Sequence, residues 1–85
     1  MQNNFQKAIT SLEKKTYVFH FNRIYTVDGV CYHISFRTQG YISHYFMMEE
    51  DKGRWYLSDL ALLPEWLIDM EQELENVIKE NTNEG

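Results

Sequence analysis

Few residues of this chain are of types that do chemistry. Cys31 is the one cysteine among 85 residues. His33 follows at i+2, the spacing that puts both side chains on one face of a strand. A nucleophilic cysteine needs a base within hydrogen-bond reach and a third group to orient that base. Side chains two apart on a strand stand roughly 7 Å apart, and the neighbours expected at His33, Ile24 and Tyr45, are poor orienters. The pair reads as an inert thiol beside a surface histidine, and no catalytic residue is assigned. The three histidines, His20, His33 and His44, include no close pair. Alternation sends His44 to the face opposite the other two, so they do not converge on one ion. Glu49, Glu50 and Asp51 cluster in a turn but lack the spacing of a calcium loop. The glycines form no phosphate-cradling loop, and no Gly-x-Ser-x-Gly or His-Glu-x-x-His string occurs. No metal, cofactor or small-molecule ligand is inferred, and the chain reads as non-enzymatic.

What remains is aromatic. Tyr41, Tyr45 and Tyr56, with Arg37 and Arg54, fall where a strand would show them to solvent. Such a set could stack single-stranded bases. Against nucleic acid stand a sequence pI of about 5.0 and the absence of basic clusters. Net charge is −5 and uneven. Residues 1–47 carry five basic groups (Lys7, Lys14, Lys15, Arg23, Arg37) against Glu13 and Asp28, hence +3. Residues 48–85 carry three basic groups against eleven acidic ones, hence −8. The imbalance favours a neutral or basic partner, or self-association.

The elements that must position these side chains centre on residues 16–37. Two runs rich in aromatic and β-branched residues flank Asp28-Gly29, a strong hairpin signal because a type I′ turn needs positive φ at both central residues. The first strand spans about Thr16 to Val27, with a bulge expected near Asn22-Arg23, where Arg23 interrupts the apolar alternation. The second, Val30 to Arg37, puts Val30, Tyr32, Ile34 and Phe36 on one face. This turn pairs Val27 with Val30, Tyr25 with Tyr32 and Phe21 with Phe36. A turn at Thr38-Gln39-Gly40, with Gly40 in the left-handed region, leads to a third strand, Tyr41 to Met48. That register, preferred to a two-residue turn that would set Tyr45 opposite Ile34, sets Ile42 opposite Phe36 and Phe46 opposite Tyr32, with Ile42 in the core. Glu50 to Gly53 turns into a fourth strand, Arg54 to Ser58, where Trp55 and Leu57 line up with Met48 and Phe46.

Helices flank the strands. Phe5, Ala8, Ile9 and Leu12 follow i, i+3, i+4, i+7, which predicts a helix over residues 4–15. Pro64 opens a second, whose stripe is Trp66, Leu67, Met70, Leu74, Val77 and Ile78. Glu75 and Lys79 form a favourable i, i+4 pair. Residues 81–85 are expected to be a disordered tail, leaving residues 1–80 as one domain.

The expected fold is α+β, in the order α-β-β-β-β-α: a four-stranded antiparallel meander with two helices packed on one face. The other face would be open and mixed, a composition that suits a contact surface. The expected function is a small interaction or adaptor module that binds a protein partner, its own copy included, through His33, Arg37, Tyr41, Tyr45 and Tyr56. The lone cysteine excludes an internal disulfide and fits a reducing compartment. The first residues lack the pattern of a signal peptide. The longest apolar run, Leu60 to Leu63, is far below the roughly 20 residues of a membrane span. A cytoplasmic location without membrane attachment is the expectation.

Overall fold

A computed structural model describes residues 3–38 and 42–83. A curled antiparallel sheet of five strands precedes two helices. The strands are β1 (Asn4–Thr10), β2 (Thr16–Thr26), β3 (Gly29–Arg37), β4 (Ser43–Asp51) and β5 (Arg54–Leu57). They lie side by side in chain order. A 3₁₀ turn (Leu60–Leu62) leads to α1 (Glu65–Ile68) and α2 (Glu71–Asn83). The class is α+β, with one strand more and one N-terminal helix fewer than the sequence suggests. Among the described residues, no helix is long and apolar enough to cross a membrane.

The expected first helix is β1. Phe5 and Ile9, four apart, share a face in a helix and in a strand alike, so that spacing does not discriminate. Ala8 and Leu12, which completed the helical stripe, are both exposed. Tertiary pairing decides the matter. β2 is eleven residues long and its Thr16–Asn22 half pairs with β1 over its full length, which satisfies backbone groups that a helix at this position would leave open.

All three expected hairpins form, and each is displaced by two residues. Tyr25 pairs with Val30 and Arg23 with Tyr32. Tyr32 pairs with Met48, and Met48 with Leu57. A two-residue slide keeps every side chain on its face, whereas a one-residue slip would invert all of them. Pairing runs unbroken through Asn22 and Arg23, so the expected bulge is absent. The displaced register explains why Arg23 is tolerated on the inner face. Its Nη1 donates to the Tyr32 hydroxyl at 3.0 Å, and its guanidinium lies 5.5 Å from that ring's centroid. The expected register would have set this cation opposite Ile34.

The turns tell the same story. In the β2–β3 hairpin Val27 and Asp28 are the central residues, and only Gly29 has positive φ, at 137°. The turn with positive φ at both central residues is in the β4–β5 hairpin, at Lys52 (53°) and Gly53 (81°). Thr38 N–H donates to Ile42 O at 3.0 Å, which closes the β3–β4 hairpin around three residues. Gly40 lies outside the described residues. Ile42 is 60% exposed rather than in the core.

The core lies between the inner face and the helices. Phe19, Phe21, Tyr32, Ile34, Phe36, Phe46, Met48, Trp55 and Leu57 pack with Leu67, Met70, Leu74 and Ile78. Both helices thus cover one face, but both come from the C-terminal third, and the N-terminal helix expected to share that face is strand β1. The expected single helix divides at Asp69-Met70, yet Leu67, Met70, Leu74 and Ile78 of its stripe are buried and Trp66 and Val77 half-buried. Trp66 stacks on Tyr17 at 4.8 Å, which ties α1 to β2. α2 runs to Asn83 with Asn81 buried, so the tail expected from residue 81 is helical through residue 83.

α2 also finishes the sheet at β5. Ser58 N–H donates to Met47 O, which directs the backbone groups of Trp55 and Leu57 away from β4. Glu75 Oε2 accepts from Trp55 N–H at 2.8 Å, and Glu71 Oε2 from Leu57 N–H at 2.9 Å. Two residues along a strand advance about 6.8 Å and four along a helix about 6 Å, so the carboxylates match the amides they meet. Glu75 is buried, and also accepts from Arg54 Nε at 2.9 Å, with Lys79 Nζ 3.6 Å away. The Arg54 hydrogen bond, then the Trp55 amide, lowers its pKa to about 2 against the opposing effect of burial.

Candidate protein-interaction surface

The face turned away from the helices carries Val18, His20, Asn22, Ile24, Cys31, His33, Ser35, Arg37, Tyr45, Met47, Glu49 and Tyr56. Strand alternation puts them there, and the two-residue slides preserve it. His33 pairs across to Met47, Ser35 to Tyr45 and Arg37 to Ser43. Tyr45 therefore stands opposite Ser35, with His33 and Arg37 two residues to either side of it on β3. It is 77% exposed.

Two depressions flank Tyr45. One, of about 520 Å³, is walled by Asn22, His33, Met47, Ser58, Leu62 and Leu63 among others. The second, of about 490 Å³, lies towards His20, Ser35, Arg37 and Ser43. The 3₁₀ turn forms part of the first wall and leaves Leu62 81% exposed. Ser58 Oγ, in that wall, is buried without a hydrogen-bond partner among the described residues.

Three of the five residues singled out in the sequence thus gather: His33, Arg37 and Tyr45. Tyr56 does not join them. It pairs with Glu49, four residues or roughly 13 Å along β4 from Tyr45. Tyr41 lies outside the described residues. Sequence reasoning missed Leu62, Leu63 and Ser58. The signal for the two leucines is the apolar run Leu60 to Leu63 just past a strand, too short to span a membrane.

Cys31 and His33 share this face, but the thiol is buried and pairs across to Glu49. Burial pushes its pKa up and the Glu49 charge adds to that, the reverse of what activates a nucleophile. His44 lies on the inner side, stacked on Phe36 at 4.9 Å with Nε2 3.3 Å from Thr38 Oγ1. His20 and His33 lie on the outer side. Among the described residues no three His, Cys, Asp or Glu side chains could hold a metal ion together. Comparison with protein-family models, curated proteins and solved structures returns no match.

Proposed function

We propose that this chain is a non-enzymatic interaction module that binds a protein partner, a second copy included, through the outer sheet face centred on Tyr45. The observation that carries this reading is the pairing of two exposed apolar side chains, Tyr45 and Leu62, across a concave wall. Docking removes such surface from water at roughly 25 cal/mol per Å². A tyrosine with a rigid ring and a polar tip is a frequent anchor at interfaces. His33 and Arg37 supply polar contacts at the rim. Tyr56 belongs to the reading as a more distant contact on the same face, and Tyr41 stays in it on the sequence pattern alone.

A photoreactive benzoylphenylalanine in place of Tyr45 tests the proposal. It should capture one protein, or the chain itself, far more efficiently than the same group in place of Val27, which is fully exposed on a turn. Tyr45→Ala and Leu62→Ala should abolish that complex, with the thermal melt unchanged. Equal capture at both positions, or a complex indifferent to both alanine variants, refutes it. A short single-stranded oligonucleotide that binds and is lost with Tyr45→Ala would assign the face to nucleic acid instead.

A further inference from the structure

The sheet has a second surface that the outer face does not include: the free edge of β1. Arg23 N–H donates to Asn3 O at 2.7 Å, and Ser11 N–H to Lys15 O at 2.8 Å. Odd-numbered residues of β1 therefore bond to β2, and the backbone groups of Asn4, Gln6, Ala8 and Thr10 point outwards. All four residues are exposed, and β1 is the end strand of the sheet, paired with β2 on its other side. We infer that this edge accepts an extended acidic segment of another protein as a sixth strand.

Side-chain chemistry selects the occupant. A strand added here would set alternate side chains opposite Phe5, Lys7 and Ile9 on the inner face. Phe5 is half-buried against Phe21, Ile9 is in the core, and Lys7 between them is exposed. The complementary sequence is apolar-x-acidic-x-apolar, and it reads the same in either strand direction. Lys14 and Lys15 in the β1–β2 turn add positive charge beside it, while Glu71 and Glu75 of α2 lie across the sheet at β5. A second copy fits poorly. Lys7 is the middle of this seven-residue strand, so symmetric antiparallel pairing would put Lys7 against Lys7, and like charges directly opposite are destabilising.

The test uses the full chain and a fluorescein-labelled peptide, Thr-Val-Thr-Glu-Thr-Val-Thr, followed by anisotropy. It should bind about three- to tenfold more tightly than the peptide with central lysine, because the exchange replaces an attractive cross-strand pair with a repulsive one. Lys7→Glu should invert that order. Ala8→Pro removes an outward N–H without touching the β1–β2 ladder, and should weaken both peptides with an unchanged melt. Hydrogen exchange at Asn4, Gln6 and Ala8 should slow when peptide is added. Unchanged exchange there, or affinity unaffected by Ala8→Pro and Lys7→Glu, overturns the inference. So does a homodimer, seen by light scattering, that Ala8→Pro dissolves, since it would assign the edge to a second copy.

Discussion

The two edges of the sheet are built on opposite terms. β5 is four residues long, and its outward amides end on carboxylates from α2. β1 is seven residues long, and among the described residues its outward groups face no further strand. Edge strands are templates for further pairing unless something blunts them. At β5 a helix does so with two side chains spaced to match alternate amides. At β1 the deterrent among the described residues is the Lys7 charge. The same fold thus closes one side of its sheet by specific hydrogen bonds and guards the other by charge alone.

Proline substitutions break that comparison most sharply. Lys7→Pro removes an inward amide from the β1–β2 ladder and should cost about 3 kcal/mol in urea denaturation. Ala8→Pro, one residue on, removes an outward amide and should cost less than about 1 kcal/mol. Similar costs at both positions would mean that the edge is not where the ladder polarity puts it.

Next comes Glu75→Ala. It strands the buried Trp55 amide, a loss of about 1–3 kcal/mol, and should bring Trp55 amide exchange towards the rates of Gln6 and Ala8. Glu71→Ala, which releases the Leu57 amide from a half-buried carboxylate, should do less. The acid limb of stability follows from the same residue. The folded-state pKa of Glu75, about 2, lies below its ordinary value. Its contribution is therefore complete above the ordinary carboxylate pKa of about 4.3 and is lost as pH falls towards 2. Glu75→Gln should flatten the chemical-denaturation midpoint over that interval, and a slope identical to the parent's would remove Glu75 from the account.

The smallest effect is a gain. Lys52 holds φ of 53° in the β4–β5 turn, a region that costs a side chain about 1 kcal/mol. Lys52→Gly should raise stability by up to that amount, less the extra chain entropy of glycine. A loss would show that Lys52 makes the β5 edge more secure than its backbone suggests.

The slides of register show what a sequence can and cannot specify here. Apolar alternation has a period of two, so it fixes which face Tyr32, Phe46 or Trp55 takes and is blind to any even displacement. The choice among even registers rests on particular contacts: Arg23 finding the Tyr32 hydroxyl, and Gly53 taking the second central position of a turn that demands positive φ. β1 was misread because its apolar residues are spaced by four, which serves both periodicities, and because its partner is a strand further along the chain. The stripe of the last helix was legible because its apolar arc has a single solution. His33, Arg37 and Tyr45 were legible as neighbours because cross-strand proximity survives a slide of two. Tyr56 was not, since that slide sets it opposite Glu49. Leu62 owes its place beside Tyr45 to the path of the chain after β5, which no periodicity encodes.

The Glu71–Glu75 seal bears on valence. A sheet with one available edge can add a single strand and then stops. Without α2 the same sheet would offer two, and a unit with two such ends propagates. On the proposed strand addition at β1, the thirteen residues of α2 hold the complex to that one added strand.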